Sequence, residues 1–405
     1  MNPIHYFHVH FVKHSLRHNF HTGTHFAKSR HSRISCRVLI NKIQSIHLAA
    51  ASKNLRLGFV PLTDCAPLVM AHELGLYKKY GLRVTLSREL GWATIRDKVI
   101  HRELDAAHAV AGMPFAATLG LGSIHCDCLS ALMLNLNGNA IVLANDLWRR
   151  GVRDGVALRG EISRLRGQKL FTFGVVFPFS SHNFLLRGWL GAAGIHPDRD
   201  VRIVVLPPPQ MVTNLKAGHL DGFCVGEPWN SVAVQAKTGW CVTTSAEFDP
   251  GHPEKVLMVS REFAERRDEE HVALVAALIE GCEFCDVPGN RNEIVATLAR
   301  PEYVGTSAAT LRPAFDAEFD FGHGHTRPVR DFVTFHRHDA NVPSIDKAAW
   351  VINHMRARNL AASAVLTPSL ARSVFRSGIY NRACALRSPI KIKSEEASDP
   401  KSVLV

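Results

Sequence analysis

The chain has 405 residues, which is long for one hydrophobic core and enough for two. Hydrophobic residues make up 46% and charged residues 21% of it, a balance that excludes a largely disordered or fibrous protein. The net charge of +12 lies mostly near the two ends, so it gives little support to a folded body that binds nucleic acid.

The first 53 residues predict a basic, His-rich, disordered extension. Residues 1–50 contain seven Lys and Arg, no acidic residue and nine of the 23 His. Lys42, Gln44 and His47 interrupt the apolar run that an export signal would need, and no apolar run reaches the length of a membrane span. These features favour a cytoplasmic protein, and a flexible basic arm stays open as an alternative.

The cysteines favour the same location. Nine are scattered along the chain, and free thiols in that number suit a reducing compartment. Cys282 and Cys285 form a C-x-x-C pair, but the pair lies in the apolar stretch HVALVAALIEGCEFC. A spacing of three puts both thiols on one helix face, where they are interpreted as small buried hydrophobes rather than metal ligands. No metal and no cofactor are expected.

A β-α-β unit begins the predicted folded region. The apolar run LRLGFV at 55–60 predicts a buried strand, and the apolar periodicity over 66–79 predicts a helix. Gly81 is placed to end that helix, and LRVTL at 82–86 predicts the next strand. The short polar loop between strand and helix lies at the carboxyl end of the first strand.

The same alternation continues along the chain and predicts an α/β fold. Further strands are predicted at 104–108, 169–175 and 201–206, and in DGFCVGEP, with helices at 91–100, 183–193, 210–217, 268–285, 292–299 and 345–358. Alternating strands and helices with short loops predict parallel sheets covered by helices. Ligands of such sheets bind beyond the carboxyl ends of the strands, often at helix N-termini.

Two such sets of elements predict two lobes with a ligand cleft between them. We assign lobe I to residues 54–145 and 246–360, the latter including the C-terminal helices, and lobe II to residues 146–245. Residues 361–405 lose the periodicity and are predicted to be a basic tail.

The usual signatures of enzymes are missing from the sequence. It contains no G-x-x-x-x-G-K-[ST] phosphate loop, no G-x-S-x-G nucleophile elbow and no H-E-x-x-H zinc motif. The glycines of GLGSIHCDC lack dinucleotide-binding spacing. The chain is therefore predicted not to be an enzyme, with no catalytic residues assigned.

A series of motifs in residues 54–358 gives a specific resemblance. In chain order they are LGFVPLTDCAPLVMAHELGLYKKYGL, GWATIRDK, DAAHAVAGMP, LNLNGNAI, DGFCVGEPWN and HPEKVL. Together they resemble the nitrate- and bicarbonate-binding family of ABC-transporter solute-binding proteins, the NrtA/CmpA family. The resemblance implies a two-lobed fold of the periplasmic-binding-protein type (type II).

The resemblance also implies an anion site. Carried over by motif, its residues are Trp92, Asn139, His182, Gly226 and Lys255. Each has an ordinary structural alternative: a core tryptophan, a polar residue at a helix start, a turn glycine, a solvated lysine. The order of the motifs favours the site, in which the Trp92 ring lies against a planar anion and Lys255 supplies the compensating charge.

The residue at position 255 bears on which anion is bound. The bicarbonate-binding branch resembles this chain but has an acidic residue there, so Lys255 favours nitrate or nitrite. The transporter branch usually has Gln where this chain has Asn139, which makes the side-chain donor shorter by one methylene.

Two binding roles and one enzymatic role remain on this fold. The chain resembles NasS-type nitrate sensors, which implies a cytoplasmic sensor that controls an antiterminator partner in nitrate assimilation. This role is preferred, because a transporter component is expected to carry an export signal and the sequence shows none. The alternative is the solute-binding component of a nitrate ABC transporter, periplasmic or membrane-associated, whose partner is the permease. A remote alternative is an enzyme related to thiamine-precursor synthesis. Direct nucleic-acid binding is not expected.

Overall fold

The computed structural model describes residues 54–316 and 318–387. The predicted N-terminal extension lies outside these residues. The strands are β1 Leu55–Phe59, β2 Val84–Arg88, β3 Ala106–Val110, β4 Cys128–Asn137, β5 Asn139–Ala144, β6 Thr172–Val175, β7 Arg202–Val205, β8 Gly222–Gly226, β9 Gly239–Thr244, β10 Pro253–Ser260, β11 Glu318–Asp320, β12 Thr326–Pro328 and β13 Val333–Thr334.

Helices connect and cover these strands. They are α1 Ala66–Glu73, α2 Leu76–Lys79, α3 Trp92–Ile100, α4 Met113–Thr118, α5 Asn145–Arg149, α6 Gly155–Arg164, α7 Ser181–Ala192, α8 Gln210–Lys216, α9 Trp229–Gln235, α10 Ser245–Phe248, α11 Arg261–Arg266, α12 Asp268–Asp286, α13 Arg291–Leu298, α14 Ala308–Leu311, α15 Ile345–Ala357, α16 Pro368–Val374 and α17 Ser377–Arg387. Short 3-10 helices form at Thr63–Cys65, Pro288–Asn290 and Arg312–Ala314. No helix within the described ranges is long and apolar enough to cross a membrane.

The first sheet has six strands in the described part of the chain, in the order β13-β4-β10-β3-β1-β2. Its strands β1, β2 and β3 run parallel, whereas β10 is antiparallel to both β3 and β4. Every side chain of β3 and β4 is buried, as expected for central strands covered on both faces.

The second sheet has five strands in the described residues, in the order β7-β6-β8-β5-β9. Here β6 runs parallel to β7 and β8, and β5 is antiparallel to β8 and β9. Both sheets are therefore mixed, and the prediction of parallel sheets is correct only for the β-α-β units. Strands β4 and β5 were not predicted, although Asn137, Gly138 and Asn139 are turn-forming residues between their two apolar runs.

The chain crosses between the sheets at two neighbouring segments. Strand β4 of the first sheet ends at Asn137 and β5 of the second begins at Asn139, separated only by Gly138 with a φ of 98°. The return crossing leaves β9 through α10 and enters β10. The amide of Asn137 donates to the carbonyl oxygen of His252 (3.2 Å), and that of Gly251 to Oδ1 of Asn137 (2.8 Å). These hydrogen bonds hold the two crossings side by side.

The predicted helix over 66–79 is broken. Gly75 has a φ of 67°, which ends α1 after Glu73 and starts α2 at a new angle. The apolar face of α1 packs on α12, whose residues Cys282 and Cys285 are buried, as their interpretation as small hydrophobes requires. In residues 54–316 and 318–387, no three His, Cys, Asp or Glu side chains are grouped so as to hold a metal ion.

The prediction of a basic tail from residue 361 onward is wrong for the part that the structure describes. Helices α16 and α17 pack on the first sheet and on α12. Phe375 is buried against Phe115, with ring centroids 5.0 Å apart, and its backbone bridges to Ser130. Both helices are short, with Arg372 in α16 and Arg382 and Arg387 in α17, so their apolar residues lack a clear helical period.

Candidate functional site

The five residues assigned to the anion site lie close together, beside the two chain crossings. Trp92 begins α3, His182 lies in the first turn of α7, and Lys255 lies on β10. Asn139 and Gly226 are paired opposite each other on β5 and β8. All four side chains are buried, at 1% exposure or less, so the arrangement is enclosed by protein.

Lys255 is the cationic centre of the site. Its ammonium lies 2.7 Å from Oδ2 of Asp64 and also contacts Oε1 of Glu254. It lies 5.4 Å from the centre of the Trp92 ring, within the range of a cation–π interaction. Burial lowers the pKa of Lys255, but the two carboxylates outweigh this effect and raise it above its usual value. The ammonium is therefore charged near neutral pH.

The Glu254 carboxylate is surrounded by donors from both sheets. Its Oε2 accepts from Nδ2 of Asn139 (2.5 Å) and from the hydroxyl of Ser181. Its Oε1 contacts Lys255 and lies 3.3 Å from Nε2 of His182. Burial favours the neutral acid, but Lys255 and the nearby imidazoles lower the pKa of Glu254 to about 2. The side chain is therefore an ionised, fully buried carboxylate.

A bulge brings Glu254 and Lys255 to the same side of β10. Successive side chains of a regular strand point to opposite faces. The pairing of β10 with β4 shifts register between Pro253 and Lys255 and again between Lys255 and Val256. Such irregularities re-aim side chains, often beside functional sites.

The imidazoles of the site are neutral. Burial lowers the pKa of His182 to about 4, although Glu254 acts in the opposite direction. Burial also lowers the pKa of His108, whose Nε2 lies 3.0 Å from Oδ1 of Asp64. Burial favours the neutral form of Asp64, but Lys255 and His108 hold its pKa well below the usual range. Asp64 and Glu254 are therefore both ionised, and the contacting groups carry one positive and two negative charges.

The backbone of Gly226 leaves room beside Asn139. A Cβ at this position would lie 3.4 Å from Oδ2 of Asp64 and 3.5 Å from Oδ1 of Asn139. A side chain longer than that of alanine would therefore fill the space between these two groups. Gly226 has an ordinary backbone conformation, so its role is close approach and not an unusual φ.

One site residue was assigned to the wrong lobe. Asn139 was assigned to lobe I with Trp92 and Lys255, but it begins β5 and belongs to the second sheet with Gly226. The predicted boundary at residue 145 lies one strand too late, since the chain changes sheets at Gly138.

Comparison with known proteins places the chain in a family. Residues 49–299 match the model of the NMT1-like family. The chain belongs to the NMT1-like family. It is 32% identical over 342 residues to the nitrate/nitrite binding protein NrtA of Synechococcus elongatus, covering 82% of this chain and 77% of that protein. The family assignment covers every residue of the candidate site.

The sequence is also similar to longer transport proteins. It is 44% identical to the nitrate import ATP-binding protein NrtC of Synechocystis over 305 residues, and this alignment covers 75% of this chain. The alignment covers 45% of NrtC, so the chain spans about half the length of that relative.

A solved structure confirms the predicted fold. The periplasmic nitrate-binding protein NrtA from Synechocystis matches with a TM-score of 0.79 and 26% identity, over 83% of this chain and 89% of that one. This NMT1-like chain therefore has the two-lobed α/β periplasmic-binding-protein-like fold. The NrtA proteins that it resembles are named as binding proteins.

The sequence prediction did not include three buried residues that lie among the predicted site residues. Asp64 and Glu254 stand inside the quoted motifs LTDCAPLV and HPEKVL, and Ser181 directly precedes His182. Strand alternation would have pointed Glu254 away from Lys255, so only the bulge in β10 reveals it. Asp64 lies in the loop after β1, where site residues of such sheets are expected, and could have been predicted from that position.

Proposed function

We propose that this protein binds nitrate or nitrite between its two lobes and serves as the substrate-binding part of an anion importer. The observation that carries the proposal is the convergence of Asn139, Ser181, His182 and Lys255 on one planar carboxylate. These groups come from both sheets, so an anion held by them would contact both lobes. We also propose the division into lobes itself, with the crossing at Gly138.

The chemistry of the cluster suits a small, planar, monovalent anion. A desolvated anion needs a compensating charge and several hydrogen-bond donors. Lys255 supplies the charge, and Asn139 and Ser181 supply neutral donors. The ring of Trp92 contributes an apolar face, and its Nε1 is a buried donor without a partner among the described residues.

The relatives support import more than sensing. The NrtC protein is named for nitrate import and the NrtA proteins for nitrate and nitrite binding. None of these names supports the predicted antiterminator partner. The predicted cytoplasmic location is likewise unsupported, since the solved NrtA is described as periplasmic. We therefore propose a permease of the ABC type, rather than a regulator, as the partner.

Calorimetry on the purified chain tests the proposed ligand. We expect heat of binding with nitrate and with nitrite, without any added cofactor. His182→Gln should weaken binding at least tenfold, which corresponds to about 1.4 kcal/mol. The matched control is His271→Gln, because His271 of α12 is equally buried but packs against Phe263 of α11. Binding of bicarbonate or an alkanesulfonate, with no nitrate heat at millimolar concentration, would contradict the proposal.

Affinity capture from native cells tests the proposed role. A tagged chain should recover a membrane permease or its ATPase from detergent-solubilised membranes. Recovery of a cytoplasmic regulator that nitrate releases would instead favour the sensor. Fractionation of the same cells gives the location directly.

A further inference from the structure

We infer that Glu254 is an internal competitor for the bound anion and thereby sets the affinity of the site. The inference rests on the proposed function, because it assumes that an external anion uses the same donors. In the structure, Asn139, Ser181 and Lys255 already donate to the carboxylate of Glu254, and Nε2 of His182 lies 3.3 Å from it without a hydrogen bond.

The geometry supports competition rather than a shared site. A carboxylate and a nitrate ion are both planar and monovalent, and each presents neighbouring oxygens in one plane. Asn139 and Ser181 donate to one oxygen of Glu254, and Lys255 and His182 contact the other. An anion that takes the hydrogen bonds of Asn139, Ser181 and Lys255 must therefore replace the carboxylate.

The charges lead to the same conclusion. The ammonium of Lys255 already neutralises one of two carboxylates, Asp64 and Glu254, and the neighbouring imidazoles are neutral. A further anion in contact would give three negative charges around one positive charge in a buried site. Such an arrangement is strongly unfavourable, because unpaired charge inside a protein is poorly screened. Binding is favourable only when the carboxylate leaves its donors.

Glu254 also joins the two halves of the molecule. Its backbone belongs to β10 of the first sheet, whereas Asn139 and the first turn of α7 belong to the second half. The carboxylate thus forms the same bridge between the lobes that the proposed ligand would form. An anion that displaces Glu254 replaces an internal bridge by an external one.

Two variants of Glu254 test the inference. Glu254→Gln keeps the shape of the side chain and removes its charge, so nitrate should bind at least tenfold more tightly than to the wild type. Glu254→Ala removes the atoms that acetate would restore. We therefore expect acetate to raise the melting temperature of Glu254→Ala but not that of the wild type. The matched controls are Glu265→Gln and Glu265→Ala, at an exposed position on α11, which should behave as the wild type does.

The outcomes separate this inference from the proposed function. The inference is overturned if nitrate binds the wild type but binds Glu254→Gln no more tightly, or if acetate stabilises Glu254→Ala no more than the wild type. If acetate stabilises Glu254→Ala but neither nitrate nor nitrite binds the wild type or Glu254→Gln, the assigned ligand is wrong. In that case, the occupation of an anion site by Glu254 is supported. Glu254→Gln provides the decisive measurement if Glu254→Ala does not fold.

Discussion

Lys255 combines a role in the proposed binding site with a structural role. It is completely buried and is the cation that contacts both Asp64 and Glu254. Removing one member of a buried charge cluster costs more than the pair itself contributes, because the remaining charges lose their partner. A lysine in this position therefore contributes to folding as well as to ligand binding.

Replacing Lys255 by Met should lower the free energy of unfolding by roughly 3–5 kcal/mol, since two buried carboxylates lose their cation. Denaturant titration measures this loss. The double variant Lys255→Met/Asp64→Asn should recover part of the stability, because one of the two uncompensated charges is removed. Equal stability of the wild type and the single variant would show that the carboxylates find other partners.

The predicted and missed residues of the site differ in a physical way. The positions of Trp92, His182 and Lys255 follow from motifs that each stand at the start of a helix or on a core strand. Glu254 depends on a local register shift between β10 and β4, and register is a property of pairing between distant segments. Such a feature leaves no signal in the sequence of one strand.

At the scale of elements, helix α7 was predicted, but its predicted start is too late in the sequence. It was predicted from residue 183, whereas it starts at Ser181 with Ser180 as its N-cap, whose side chain accepts from the amide of Asn183. Serine is a preferred N-cap residue, so this signal was present in the sequence. The earlier start places Ser181 and His182 in the first turn, where free backbone N–H groups favour negative charge.

The C-terminal helices are the element that sequence periodicity missed most clearly. Phe375 joins α16 and α17 to the first sheet through Phe115 and Ser130. Phe375→Ala should lower the free energy of unfolding by about 3 kcal/mol, which is the lower end of the range for replacing a buried phenylalanine by alanine. Nitrate affinity should remain within twofold, because the contacts of Phe375 with the Phe115 ring and the Ser130 backbone involve none of the site residues. The control Leu386→Ala, at an exposed position on α17, should change stability little.

Unchanged stability of Phe375→Ala would show that these helices contribute little to the fold. Loss of nitrate affinity with retained stability would instead connect the C-terminal helices to the site. Thermal unfolding and calorimetry on the same samples distinguish these two results.

At the scale of the whole molecule, the fold class was predictable from the alternation of strands and helices, but the boundary between its halves was not. The change of sheet occurs at the polar residues Asn137, Gly138 and Asn139, between the apolar runs of β4 and β5. Hydropathy is the same on both sides of such a crossing. Only the pairing of Asn139 with Gly226 shows to which sheet β5 belongs.

The proposed site takes residues from both halves, which predicts that the lobes close on the anion. Trp92 and Lys255 belong to the first half, and Asn139, His182 and Gly226 to the second. Each half alone offers an incomplete set of contacts, so the anion favours the arrangement in which both halves meet. The two adjacent crossings, joined by the hydrogen bonds of Asn137, are the segments about which the lobes would turn.

In the wild type, the carboxylate of Glu254 bridges the two halves before an anion displaces it, so closure should be visible in Glu254→Ala. Small-angle X-ray scattering of Glu254→Ala should show a smaller radius of gyration at saturating nitrate than without nitrate. The control Glu254→Ala/His182→Gln, which is expected to bind weakly, should show no decrease at the same nitrate concentration. If a partner protein prefers the open arrangement, nitrate weakens the binding of that partner. The partner must then weaken the binding of nitrate by the same factor, because coupling is reciprocal. An unchanged radius in Glu254→Ala that calorimetry shows to be saturated would mean that the site binds without closure, and coupling to a partner would then need another route.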